Sequence, residues 1–203
     1  MKHFILFFIF ILTCAAARSA EQAVEPAAYA KFAAVRTISS DFTMERRLSI
    51  ARKPLLSAGH FYFERPGFLR WEYKEPFAHG IILNNGKAFS WRGGAKAGGK
   101  KEIKDISAEP LAKAAARQVY IFVAMDIKEI SARYNIAPFE NGLSLLPKDN
   151  SASQAVEKIN LYFNAAGDAV KKAEMLDKSG DSTIITFSAT ELNGPIPTSA
   201  REP

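Results

Sequence analysis

The chain has 203 residues, 48% of them apolar and 24% charged, with a formal net charge of +6. Such a length suits one domain or two small ones, and the apolar share is too high for a disordered chain. A single cysteine excludes a disulfide framework.

Met1-Lys2-His3 makes a short positive start, Phe4–Leu12 is an unbroken apolar run, and Ala15-Ala16-Ala17 supplies small residues for cleavage. The pattern predicts a secretory signal peptide over residues 1–20, cut after Ala17 or Ala20. The run is shorter than the roughly 20 apolar residues of a membrane span. Cys14 lies beside it. One reading is an ordinary signal-peptide residue and the other a lipidated cysteine, although Ile11-Leu12-Thr13 fits a lipobox poorly. The remainder, residues 21–203, is expected to be a single exported, soluble domain. Its basic balance suits anionic lipid or an acidic protein face, and export argues against nucleic acid. The densest basic cluster, Lys96 to Lys101, reads first as a solvated loop.

Ala27–Thr37 is Ala-rich, with Tyr29, Phe32 and Val35 three apart; this predicts a short amphipathic helix after Pro26, ended by Ser39-Ser40-Asp41. From Phe42 the period becomes two. Strands are predicted over Phe42–Ile50, Leu56–Glu64, Phe68–Tyr73, Gly80–Leu83 and Ala88–Arg92, with turns at Lys53-Pro54, Pro66-Gly67, Pro76 and Asn84-Asn85-Gly86-Lys87. After the glycine-rich loop Gly93–Gly99, Ser107–Arg133 reads as helix. Ser107 can cap it, Pro110 suits an early position, and Asp126 can cap a second segment after a break near Met125. Two further hairpins, Asn135–Leu146 and Lys158–Asp177, and a strand over Thr183–Leu192 follow, and the tail from Gly194 reads as loop. Strand runs interrupted by one helical block mean an α+β fold. Ten or eleven twisted antiparallel strands curl toward an incomplete barrel, with the helices as a lid over its concave apolar face.

Catalysis has little to work with in this chain. Beyond the signal segment the histidines are His60 and His79, too few for a metal site, and no Gly-x-Ser-x-Gly occurs. The glycine pairs match no Walker or Rossmann pattern. No catalytic residue, metal or cofactor is expected.

The aromatics carry the signal. A period-two count puts Phe42, Phe61, Phe63, Leu69, Trp71, Tyr73, Phe89 and Trp91 on one side of successive strands, with Met44 beside Phe42. Leu111, Phe122 and Met125 of the helical block complete a candidate apolar wall. That wall is either plain core or the lining of a ligand-holding interior. Arg65, at a strand end before Pro66, is either a surface charge paired with Glu64 or Glu72, or a donor to the free carbonyls of a helix end.

The run Glu64-Arg65-Pro66-Gly67-Phe68-Leu69-Arg70-Trp71-Glu72-Tyr73-Lys74-Glu75-Pro76 resembles the signature of LolA-type outer-membrane lipoprotein carriers. Ser39-Ser40-Asp41-Phe42-Thr43, Ile82-Leu83-Asn84-Asn85-Gly86-Lys87 and Leu176–Thr183 with Phe187-Ser188 are similar to further parts of that family. The resemblance implies a periplasmic monomer that holds the acyl chains of lipoproteins, or a related lipid, in its cavity. It implies an inner-membrane ABC release complex or exporter as donor and an outer-membrane acceptor as recipient. It makes Arg65 the latch of the lid and Trp71 a cavity-side aromatic. A LolB-like acceptor anchored at Cys14 is the alternative. The short Gly93–Gly99 loop and a C-terminus that lacks an extra strand and short helix depart from the family and point to a specialised route.

Overall fold

A computed structural model describes residues 29–93, 101–148 and 156–202. The predicted signal peptide, with Cys14, lies outside them. The described residues form helix α1 (Ala30–Ala34), strands β1 (Thr37–Arg47), β2 (Leu55–Glu64), β3 (Phe68–Glu75), β4 (His79–Asn84), β5 (Lys87–Arg92) and β6 (Glu102–Asp105), helices α2 (Pro110–Ala124) and α3 (Ile127–Arg133), and strands β7 (Tyr134–Phe139), β8 (Gly142–Pro147), β9 (Val156–Phe163), β10 (Val170–Asp177) and β11 (Ser182–Leu192). All eleven strands join one antiparallel sheet in the order β6-β5-β4-β3-β2-β1-β11-β10-β9-β8-β7. The sheet is a meander cut open at β6 and β7. The α2–α3 block connects those two edges and crosses one face of the sheet, so the fold is the expected α+β incomplete barrel with helices over it.

Partners across a ladder share a face. On the helix-covered inner face, Phe42, Gly59 and Tyr73 line up, as do Phe61, Trp71 and Ile81, then Phe63, Leu69 and Leu83. Two buried clusters fill this face. One joins Val35, Ile38, Phe42, Phe61, Phe63, Leu69, Trp71 and Ala124; the other joins Phe32, Ile121, Met125 and Ile130 to Leu143, Leu145, Ile159 and Leu161. Helix α2 contributes to both and bridges the two halves of the sheet.

Several boundaries differ from expectation for identifiable reasons. Strand β1 starts at Thr37, so Ser39-Ser40-Asp41 extends the strand instead of ending the helix. Ser40 is fully buried there because its hydroxyl meets the Ser188 carbonyl at 2.9 Å and the Thr190 hydroxyl at 2.8 Å, beside a bulge in the β1–β11 ladder. Strand β6 was absent from the pattern; it carries Glu102, Lys104 and Asp105, and an exposed edge strand has no apolar alternation to display. Ser107 does not cap α2. Its side chain binds both the N–H and the carbonyl of Ala88 and pins the loop into the helix. The break at Met125 does occur, with Met125 left-handed at φ 47°. Asp126 then caps α3 by accepting from the Glu129 N–H at 3.1 Å. Replacing Asp126 with Ala should cost about 1 kcal/mol, the usual value of such a cap, read as a lower thermal midpoint.

The tail is also more structured than a loop. A 3-10 turn over Thr198–Arg201 packs on the outer face. Arg70, buried on that face, donates to the carbonyls of Glu202 at 2.6 Å and Ala200 at 3.4 Å, and to the Glu72 carboxylate at 2.7 Å. Arg201 pairs with Glu64 and lies over the Phe68 ring at 4.9 Å. The tail from Gly194, expected to be loop, thus contains one 3-10 turn.

Candidate functional site

The β2–β3 turn places Arg65 at the mouth of the inner face. Helices end with carbonyls that have no partner within the helix and carry partial negative charge. Both α1 and α2 end beside this turn. The Arg65 guanidinium donates from Nε to the Val35 carbonyl at 2.9 Å, and from one terminal nitrogen to the Phe32 carbonyl at 3.2 Å and to the Ala124 carbonyl. The terminal nitrogen alone reaches both helices, and Nε adds a third carbonyl, so the guanidinium supplies all three donors from one permanently charged group. The same turn holds α2 a second time, because the Gly67 N–H donates to the Tyr120 hydroxyl at 3.0 Å. Tyr120 was not foreseen; its position one turn before Ala124 on a helix facing Pro66-Gly67 is the only trace it leaves in the sequence.

Beneath the helices the wall is apolar. Phe42 stacks on Trp71 with ring centres 4.3 Å apart, and Phe61 stacks on the same indole at 5.3 Å. Phe63 and Leu69 are wholly buried, and Val119, Tyr120 and Val123 of α2 pack against this half. Met44 and Tyr73 are half-buried at the opposite end of the wall, where the Tyr73 hydroxyl meets the Met44 sulfur at 3.9 Å. Burial pushes the Tyr73 phenol above its ordinary pKa. The gap between α2 and the sheet, lined by Ile38, Phe61, Val123, Val170 and Phe187 among others, measures about 10 Å³. That is near the lower limit for one water molecule. With α2 in this position the described wall offers that gap no room for a ligand.

The wall does not contain all the residues assigned to it. Phe122 and Met125 pack with the β7–β10 half of the same inner face, away from Trp71. The Leu111 side chain lies outside the described residues. Phe89 and Trp91 face outward, which corrects the period-two count. The Asn85-Gly86 turn pairs Asn84 with Lys87, so Leu83 and Ala88 point inward while Phe89, opposite Ile82, and Trp91, opposite Gly80, point away. Trp91 instead packs under the Arg70 guanidinium at 5.5 Å and the Lys101 ammonium at 4.3 Å. Burial, and then the Arg70 charge, hold Lys101 below its ordinary pKa.

The remaining chemistry is sparse. His60 lies on the outer face with Nδ1 2.7 Å from the Asp41 carboxylate and Nε2 3.0 Å from the Ser39 hydroxyl. Among the described residues no three His, Cys, Asp or Glu side chains gather as metal ligands, and no helix is long and apolar enough to cross a membrane. What the site provides is an apolar surface, a helical cover and a fastening.

The family described as outer membrane lipoprotein carrier protein LolA matches residues 33–200. The chain belongs to the LolA family. Relatives named outer-membrane lipoprotein carrier protein include one from Methylococcus capsulatus, 25% identical over 159 residues that cover 75% of this chain and 69% of that protein. Another, from Albidiferax ferrireducens, is 25% identical over 175 residues covering 80% and 78%. Among solved structures, a LolA superfamily protein from Nitrosomonas europaea matches at 13% identity and TM-score 0.41, over 85% of this chain and 94% of that one. The Pseudomonas aeruginosa MucA/MucB complex matches at 12% identity and TM-score 0.49, over 87% of this chain and 59% of that one. The LolA family is thus described by carriage.

Proposed function

We propose that this LolA-family chain is a periplasmic carrier that takes the acyl chains of a lipoprotein, or of a related lipid, against its inner sheet face when α2 lifts. The observation that carries the reading is Arg65: one side chain fastens the ends of two helices over an apolar wall. The Gly67 N–H to Tyr120 bond and the packing of α2 add to this hold, but Arg65 alone joins the ends of both helices.

Energetics make such a carrier necessary and feasible. Acyl chains resist water by about 0.8 kcal/mol per methylene, so two sixteen-carbon chains carry roughly 24 kcal/mol of transfer free energy. For cargo to be held, lifting α2 must expose less apolar surface than the chains cover. Cargo is then held in the open state and expelled as the cover closes, without any nucleotide chemistry in the chain itself. An inner-membrane ABC release complex or exporter would load the protein, and an outer-membrane acceptor would unload it.

The test is uptake of a diacylated cysteine lipopeptide in solution, followed by native mass spectrometry. The mature protein should bind the lipopeptide one to one and ignore the same peptide without its acyl chains. Protein that stays empty, or that binds both peptides equally, overturns the reading. The mass of the mature N-terminus in the same spectrum separates a soluble carrier from an acceptor lipidated at Cys14.

A further inference from the structure

The end of the sheet remote from Arg65 has a different surface. It is built by the turn between β1 and β2, the start of β2, and the turn between β3 and β4. Register puts them together: Arg46 pairs with Leu55, Ala58 with Glu75, and Arg47 with Ser182 of the neighbouring strand. Four large apolar side chains stand in water here. Ile50 is 93% exposed, Phe77 77%, Leu56 66% and Leu55 55%. Single exposed apolar residues are ordinary, but here four share one end of the sheet, with Leu55 and Leu56 projecting to opposite faces of β2.

Cations surround the patch. Arg46, Arg47, Arg52 and Lys53 are all exposed on the same hairpin, which carries one acid, Glu45, over residues 44–57. Next to the Phe77 turn is a basic pocket of about 230 Å³ lined by Lys74, Ala78, Trp91 and Lys101 as well as Glu72. A groove of about 530 Å³ between Leu56 and Pro76 separates the two tips.

We propose that this end of the molecule docks on an anionic phospholipid bilayer, with Ile50, Leu55, Leu56 and Phe77 entering the boundary between headgroups and acyl chains and the Lys74–Lys101 pocket receiving a headgroup phosphate. Protruding apolar tips on separate turns need no complementary mould in a soft bilayer. A rigid protein partner would have to supply one. Basic side chains beside shallow apolar anchors are the pairing that holds proteins reversibly on anionic lipid. The half-buried end of the inner wall, Met44 and Tyr73, lies at this end too, so docking presents it to the membrane. The inference does not depend on the carrier reading: the groove and the pocket share Met44 and Tyr73 with the end of the wall, but the four exposed apolar tips stand outside it.

Co-sedimentation of the mature protein with vesicles tests it. The protein should pellet with vesicles containing phosphatidylglycerol and stay in solution with phosphatidylcholine alone. At about 1 kcal/mol per cation near an anionic surface, the double variant Arg52→Glu, Lys53→Glu should bind about thirtyfold more weakly or worse. The variant Ile50→Ser, Phe77→Ser should lose at least tenfold. Leu146→Ser, an exposed apolar site on β8, should bind as wild type. All these positions are exposed, so thermal midpoints should stay unchanged, and solution uptake of lipopeptide should persist in every variant. Wild-type protein that remains in solution with both vesicles assigns the patch to a protein partner and overturns the proposal. So does binding that none of the patch variants weakens. Displacement by inorganic phosphate at constant ionic strength would give the Lys74–Lys101 pocket to a free anion and overturn its headgroup role.

Discussion

Replacing Arg65 with Leu should make acylated cargo bind more tightly and leave more slowly. The wild-type guanidinium satisfies the carbonyls of Phe32, Val35 and Ala124 only while α1 and α2 are both seated. It therefore stabilises the covered state and not the open one. A hydrogen bond to a charged group contributes about 1.5–3 kcal/mol, and this site is only partly buried, so the latch as a whole is worth about 2–3 kcal/mol. Without it the open population rises by that amount. Cargo no longer works against the latch to enter, and closure no longer helps to expel it. At about 1.4 kcal/mol per factor of ten, affinity should rise and release should slow by roughly thirty- to hundredfold. Transfer of a labelled lipopeptide from loaded protein to an acceptor vesicle measures the release directly. Arg65→Lys should fall between the two, because an ammonium keeps the charge but loses the separate Nε donor to Val35 and the planar geometry that fixes the other bonds. Release at the wild-type rate from Arg65→Leu would show that the cover is held by packing alone.

Gly59→Ala should be the most damaging small substitution on the inner face. Gly59 sits where the β2–β3 register shifts between Ala58 and Gly59. An added methyl would lie 2.0 Å from the Glu72 carbonyl oxygen and 2.6 Å from Cζ of Phe42. The ring could move; the backbone of β3 cannot move without straining its ladder to β4. Overpacking costs about 1–3 kcal/mol when side chains absorb it, and a backbone clash belongs at or above the top of that range. At roughly 2–4 °C per kcal/mol for a domain of this size, the midpoint should drop by about 6–12 °C or more. Gly86→Ala provides the contrast. Gly86 has φ +87° with nothing within 4 Å, so its cost is the left-handed backbone alone, about 1–2 kcal/mol. Equal midpoints for the two variants would mean that β2 and β3 are looser than their register implies.

The residues that repeat locally were legible in the sequence. Period-two runs located ten of the strands, and Pro110, Met125 and Asp126 marked where the helical block starts and breaks. Face assignment across strands was not legible from periodicity, because alternation within a strand says nothing of its phase relative to the next. The Asn85-Gly86 turn does set that phase, and counting outward from it would have put Phe89 and Trp91 on the outer face. Arg70 was unreadable for another reason: its charge suggests solvent, and only the returning C-terminal turn, from the far end of the chain, buries it. The sequence leaves Arg65 open between a surface charge paired with Glu64 or Glu72 and a donor to a helix end; only the family resemblance favours the second, and the helix ends that Arg65 meets come from distant parts of the chain.

The central pairing of the sheet has a consequence in time. Ile38 sits opposite Leu192, so the strand that begins the sheet and the strand that ends it meet in its middle. A chain made from its N-terminus forms β1–β2 and the hairpins beyond it by short-range closure, but β1 keeps one bare flank until β11 arrives. Joining such distant segments is slow, and a waiting strand edge invites aggregation. The composition of β1 suits that wait. Between Thr37 and Arg47 it carries Ser39, Ser40, Asp41, Thr43, Glu45, Arg46 and Arg47 around only three large apolar residues. The midline of this sheet is written as a protected edge, because during every synthesis it spends its first moments as one.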